Sequence, residues 1–205
     1  MTELGAPATS HSPYVPSRPG SAGIAFPFMA VRIVDVASTI DLPLGQPGEL
    51  LVRGPLVMKG YFNNEQATRE TIVDGGWLKT GDIAYQDEDG YLFIVDRQKD
   101  MINTGGYKVY PAELEAVIAT HPGVAMVAVG AVPDETKGEL AKAYIVLKPE
   151  HVVTEQEIYE HCRKYLGAYK IPRQVAFVRD LPKTSTGKIM RRSLISLENQ
   201  VEPAN

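Results

Sequence analysis

Hydrophobic and polar positions change their rhythm about midway along the chain. Between residues 21 and 96 short apolar runs follow one another: Met29 to Val34 (MAVRIV), Gly48 to Arg53 (GELLVR), Ile83 to Tyr85 and Tyr91 to Val95. Runs this short, rich in Val, Ile and Leu and bounded by turn formers, predict strands. Gln86-Asp87-Glu88-Asp89-Gly90 predicts a hairpin, because Asp-Gly tolerates the positive φ of a tight turn. With one short helix expected near 64–72, the stretch 21–97 reads as a small, β-barrel-like subdomain. Residues 1–20, dominated by Pro, Ser, Gly and Ala, carry too little apolar side chain to fold alone and predict an extended loop segment lying on something else.

From Lys99 onward helices and strands alternate. Pro111 suits the first position of a helix, and Leu114, Val117 and Ile118 then form one buried stripe at i, i+3 and i+4. Val124 to Val132 and Leu140 to Leu147 predict strands. Thr154-Glu155-Gln156-Glu157 is a capping box, and the helix after it is expected to bury Ile158, Cys162, Tyr165 and Leu166. Gln174 to Val178 adds a strand, and the tail from Arg191 a short helix. The fold class is α+β, a β-rich part followed by an α+β one, and the pattern divides the chain into 1–20, 21–97 and 98–205.

Composition narrows the function classes. A formal charge of −4 gives no bulk reason to expect a nucleic-acid partner, although Lys188, Arg191 and Arg192 make a local basic cluster. Cys162 is the only cysteine, so no intrachain disulfide is possible and a reducing compartment, the cytoplasm, is expected. No run approaches the roughly 18 apolar residues of a membrane span, and MTELGAPATSHSP lacks the basic start and apolar stretch of a signal peptide.

Candidate chemistry sits in three stretches. In LPKTSTGKIMRR (181–192) Gly187-Lys188 looks like part of a phosphate-cradling loop. However, Pro182 stands where its first Gly belongs and Ile189 where its metal-binding hydroxyl belongs. That reading fails, and Lys188 alone reads as a surface lysine in a mobile loop. In GGWLKTGDIAYQDEDGYLFIVDRQKD (75–100) Asp82 could accept two ribose hydroxyls beside a backbone opened by Gly81, or be a plain turn residue; Arg97 could be an ordinary surface ion pair. In INTGGYKVYPAELE (102–115) Gly105 and Gly106 could form a simple turn or a rim held against a ligand. His11, His121, His151 and His161 show no metal-ligand spacing, and nothing supports a Ser/His/Asp or Cys/His set.

Taken in order, these segments resemble the adenylate-forming superfamily of acyl-CoA and aryl-CoA synthetases, peptide-synthetase adenylation domains and firefly luciferase. The resemblance rests on Met1-Thr2-Glu3, GELLVRGPLVMKGYFNN (48–64), GWLKTGD (76–82), DRQKDMINTGGYKVYPAELE (96–115) and LPKTSTGKIMRR. It implies a reaction in which a carboxylate attacks the α-phosphate of ATP to give an acyl-adenylate and pyrophosphate. A thiol, usually that of CoA, then displaces AMP. Thr2 would contact phosphate, Glu3 would help hold Mg²⁺, Asp82 would grip the ribose with help from Arg97, and Lys188 would bridge the α-phosphate and the attacking carboxylate. Lys99 would be the pivot about which a C-terminal lid domain swivels, bringing Gly105 and Gly106 to line the thiol channel in place of Lys188. GGYKVYPAELE favours CoA ligases of fatty or aryl acids over peptide-synthetase domains, which more often carry Arg-Gly-x-Arg-Ile-Glu there.

In that family the triphosphate-binding loop, the adenine-stacking aromatic and most of the acyl pocket precede the Thr-Glu element. The resemblance therefore implies a C-terminal portion, truncated relative to the family and inactive alone. A non-catalytic binding module, or a fragment directed at a carrier protein, is the alternative. The β-rich part, which packs on that front portion in the family, is expected to expose an apolar patch and to self-associate.

Overall fold

The structure, a computed structural model, describes residues 1–14 and 16–200, with side chains through Leu197. It divides into two compact units, Met1–Lys99 and a second beginning at Asp100.

The first unit contains strands β1 (Thr9–Ser10), β2 (Ile24–Ala25), β3 (Ala30–Val34) and β4 (Gly48–Arg53), followed by helix α1 (Glu65–Thr71). Strands β5 (Ile72–Val73), β6 (Trp77–Gln86) and β7 (Leu92–Arg97) complete it. β1 and β2 pair as a ribbon; the others form an antiparallel sheet ordered β3-β4-β6, with β5 and β7 both bonded to β6. Leu50 and Val52 of β4, Leu78 and Ala84 of β6, Leu92, Ile33 and Leu4 make its core. The sheet is open instead of barrel-like, because among the described residues β3 pairs only with β4 and, by a single bridge from Val34, with Asp41. The N-terminal stretch lies on the β6–β7 hairpin: Arg18 pairs with Asp87 and Asp89, and the Tyr91 hydroxyl donates to the Pro16 carbonyl at 3.0 Å. That hairpin turns where Asp-Gly placed it, with Gly90 at φ +86°.

In the second unit β8 (Ile102–Thr104), β9 (Tyr107–Val109), β10 (Val124–Asp134), β11 (Gly138–Leu147) and β12 (Gln174–Phe177) build one sheet. Its order is β10-β11-β8-β9, with β12 running parallel to β11. Side chains alternate across it. Val127, Val129, Ala143 and Ile145 face helices α2 (Pro111–Ile118) and α3 (Glu155–Arg163). Ala128, Tyr144 and Ala176 face away, under Leu181 and under Leu194 and Leu197 of a 3₁₀ segment, Arg191–Gln200.

Helix α2 buries Leu114 and Ile118 as its stripe requires, and α3 starts on the complete Thr154/Glu157 capping box. Tyr165 departs from expectation: it is 66% exposed. The helix ends at Arg163, and the N–H groups of Tyr165 and Leu166 both return to the Cys162 carbonyl. This tightened turn breaks the 3.6-residue period, turning Leu166 inward and Tyr165 outward. Cys162 is buried, and its desolvation pushes the thiol up to about 11. No helix among the described residues is long and apolar enough to cross a membrane.

Candidate functional site

In the first unit, chemistry gathers at a bulge in β6. Leu51 pairs with Lys79 and Glu49 with Ile83, so the single residue Leu50 faces three, Thr80, Gly81 and Asp82. Gly81 takes φ +68°, which favours glycine, and no other atom lies near where its side chain would be. The bulge is closed by hydrogen bonds. Thr80 Oγ1 donates to the Leu50 carbonyl at 2.8 Å and accepts from the Asp82 N–H at 3.1 Å. Glu49, only 2% exposed, is buried beside the bulge; burial raises its pKa, while Lys79 and then the Gly81 backbone amide pull the other way.

The bulge aims Asp82 at its cross-strand partner. Asp82 and Arg97 are directly paired in β6 and β7, and Arg97 Nε lies 3.0 Å from Asp82 Oδ1. Arg97 Nη1 also donates to the Thr80 carbonyl at 3.5 Å. Burial raises the pKa of Asp82 and Arg97 partly opposes it, so the carboxylate ionises less readily than an exposed one. Asp82 therefore lies within a strand, at a built irregularity, and not at a strand start.

Thr2 and Glu3 lie in a 3₁₀ turn, Thr2–Leu4, pinned by buried Leu4. The Tyr61 hydroxyl donates to Glu3 Oε1 at 3.0 Å, and the Glu3 carbonyl accepts the Met58 N–H at 2.8 Å. The Glu3 carboxyl is held below its ordinary range by its own backbone amide first, then by Tyr61, with a smaller pull from Arg97. Glu3 and Asp82 thus share one cation's field. Among the described residues no group of three His, Cys, Asp or Glu could hold a metal ion. A lone ionised carboxylate such as Glu3 fits only the mode in which Mg²⁺ takes one protein oxygen and its other ligands from phosphates and water. Lys99, exposed in the 3₁₀ turn Gln98–Asp100, is the last residue of this unit.

The second unit carries the remaining candidates. Gly105 and Gly106, at φ +58° and +86°, form the two-residue turn between β8 and β9, and the Gly105 N–H donates to the Lys137 carbonyl at 2.9 Å. Beside the turn is a pocket of about 430 Å³ lined by Thr104, Tyr107, Lys137, Ala168, Tyr169 and Arg173. The rings of Tyr107 and Tyr169 stack at 5.0 Å. Glu49, Thr80, Tyr61 and this aromatic, cationic pocket went unread in the sequence. Glu49 alone had left a signal, as the charged residue inside an apolar strand. Lys188 is exposed on a tight loop: the Thr184 N–H donates to the Lys188 carbonyl at 2.7 Å, and Thr184 Oγ1 accepts the Lys188 N–H at 3.1 Å.

Two family profiles match: the AMP-binding enzyme over residues 1–62 and the AMP-binding enzyme C-terminal domain over residues 113–188. Among curated relatives, the 4-coumarate–CoA ligase-like 4 protein of Oryza sativa subsp. japonica is 51% identical over 88% of this chain and 33% of its own length. The long-chain-fatty-acid–CoA ligase of Yersinia pestis is 47% identical over 94% of this chain and 35% of its own. The chain thus spans about a third of the length of these relatives. Of solved structures, ATP-bound MatB from Rhodopseudomonas palustris superposes with a TM-score of 0.83 at 34% identity, covering 93% of this chain and 38% of that one. The o-succinylbenzoate coenzyme A synthetase of Bacillus subtilis, in complex with AMP, gives 0.81 at 36% identity over 95% and 39%. The ordered motifs, the matching profiles and the shared fold lead to one assignment: the chain belongs to the adenylate-forming AMP-binding enzyme family and carries that family's C-terminal domain.

Proposed function

We propose that this chain supplies the ribose grip, the catalytic lysine and the thiol-channel rim of an ATP-dependent acid–thiol ligase acting on a fatty or aryl acid, in the cytoplasm. The observation that carries the reading is the Asp82–Arg97 pair, set beside a glycine bulge at which no other atom lies within 4 Å of where a Gly81 side chain would stand. Ionised Asp82 accepts both ribose hydroxyls and Arg97 holds its second edge. Thr2 contacts phosphate. Glu3, kept charged by Tyr61, offers one oxygen to Mg²⁺, which when bound neutralises phosphate charge.

In the first half-reaction the substrate carboxylate oxygen bonds to the α-phosphorus, and the bond to pyrophosphate breaks. Lys188 balances the negative charge gathering between the reacting groups. In the second, the CoA sulfur bonds to the acyl carbon, AMP leaves with the former carboxylate oxygen, and the thiol proton is lost to solvent or a base. Lys99 is the pivot between the two arrangements. Gly105 and Gly106 give the pantetheine arm a rim without side chains, and the neighbouring pocket suits the remainder of CoA: Tyr107 and Tyr169 for a base, Lys137 and Arg173 for phosphates. The apolar side chains exposed in the first unit support self-association of the isolated chain.

The test joins this chain to the front portion of the Yersinia pestis relative and follows ATP–pyrophosphate exchange with a fatty and an aryl acid. The isolated chain should show none. The joined protein should exchange, and Lys188→Ala should slow it on the order of 10²–10³-fold. Exchange indifferent to Lys188→Ala would overturn the reading, and a joined protein without exchange would favour the non-catalytic module.

A further inference from the structure

The loop carrying Lys188 is free at its tip and held at both feet. Leu181 before it and Leu194 after it are buried in one cluster, the Met190 N–H donates to the Pro182 carbonyl at 2.8 Å, and Lys183 bridges to Ile189. The residue that follows, Arg191, makes a junction. Its Nε and Nη2 donate to the two oxygens of Glu115 on α2 at 3.1 and 2.6 Å, and its Nη1 donates to Asp100 Oδ2 at 3.2 Å. All three side chains are 25% exposed or less. Glu115 Oε1 also accepts the Val129 N–H of β10 at 2.9 Å.

One guanidinium thus joins the residue immediately after Lys99, a helix, a strand and the foot of the lysine loop. A bidentate Arg–carboxylate pair fixes direction as well as distance, and partial burial shields it from salt. Lysine cannot substitute, since a single ammonium lacks the planar fork that spans two carboxylates.

We propose that Arg191 is a positioning residue that makes the start of the second unit and the Lys188 loop one rigid piece. A backbone rotation at Lys99 is thereby delivered to the Lys188 ammonium instead of being absorbed in the intervening chain. The role in catalysis rests on the reading above that Lys188 acts in adenylation; the joint itself does not.

The experiment compares Arg191→Gln and Arg191→Lys with the unaltered protein. On the 205-residue chain, hydrogen exchange should speed by about tenfold at the amides of Val129, Met190 and Ser193 and stay unchanged at Ala143 and Ile145, as expected when a local contact opens without global unfolding. In the joined enzyme both variants should lower kcat for adenylation by about tenfold at unchanged KM for ATP, leaving thioester formation from supplied acyl-adenylate intact. Combined with Lys188→Ala they should add nothing further, since the two residues act as a unit. Unchanged exchange at the three amides, equal loss of both half-reactions, or additivity with Lys188→Ala would each overturn the proposal. If Arg191→Gln does not fold, Arg191→Lys and Asp100→Asn decide by the same readouts. If the joined enzyme shows no adenylation at all, it is the proposed function that fails, and hydrogen exchange alone still decides the joint.

Discussion

At Asp82 burial and charge pull in opposite directions, and the balance has a functional sign. Because burial raises its pKa above 3.8, the folded chain holds that proton more tightly than the unfolded chain. Folding stability contributed by this group therefore falls as pH rises through its titration and is lowest at neutral pH. Nucleotide affinity should run the other way, since only the ionised carboxylate accepts two hydroxyls. Asp82→Asn should therefore keep or raise the melting temperature while weakening AMP binding by about ten- to a hundredfold, the worth of a hydrogen bond to a charged group. Calorimetric titration should also show the wild-type affinity declining as pH falls, at a higher pH than an exposed aspartate would dictate, and the variant flat. A variant that loses stability and keeps affinity would place Asp82 among structural residues. Glu49 is buried beside the same bulge and burial raises its pKa too, so Glu49→Gln, which removes the buried charge and keeps the shape, should hold or raise stability in urea denaturation at neutral pH.

Among elements, those that advertise themselves locally were readable and those defined by distant partners were not. The capping box at Thr154 and the Pro-initiated helix at Pro111 each carry their signal within one turn, and both stand where their residues put them. Thr154→Ala should cost about 1 kcal/mol, measured as a lowered denaturation midpoint at unchanged slope. β6 shows the opposite case. Asp82 could be read as a plain turn residue and only Ile83 to Tyr85 looked extended, yet Leu50 across the sheet faces three residues, Thr80 to Asp82, and the two extra are taken up as a bulge. The pocket of Tyr107, Lys137, Tyr169 and Arg173 was illegible for the same reason: its residues come from three segments that meet only after the sheet forms. The glycine turn lies between these extremes. Two successive positive φ values fit the twist of a hairpin, and Gly106 at +86° has open space around it. Gly106→Ala should therefore cost about 1–2 kcal/mol by backbone strain alone. In the joined enzyme it should slow thioester formation more than adenylation, which paired half-reaction assays would read directly.

On the scale of the whole chain, the candidate site residues are legible as ordered motifs, and an exposed apolar patch was expected of the β-rich part, whereas the individual rings that carry it were not. Phe28 and Phe62 in the first unit are 89% and 93% exposed, and Phe28 also sits at φ +68°, a conformation bulky residues rarely adopt. Near Phe28, Tyr14, Phe26 and Pro27 line a groove of about 560 Å³. Large exposed rings scattered singly are ordinary; rings gathered along one groove favour association, because each one buried is worth about 1.5–3 kcal/mol. The net charge of −4 opposes close approach only weakly at physiological salt, where the screening length is about 8 Å. Sedimentation velocity of the 205-residue chain should thus show species larger than a monomer growing with concentration and persisting in added salt. Phe28→Ser with Phe62→Ser should return it toward monomer and reduce binding of an apolar dye, while leaving the Arg191 junction and its amide protection untouched. Association that vanishes in salt but ignores both phenylalanines would instead assign the contact to charged groups such as the exposed Arg18–Asp89 pair.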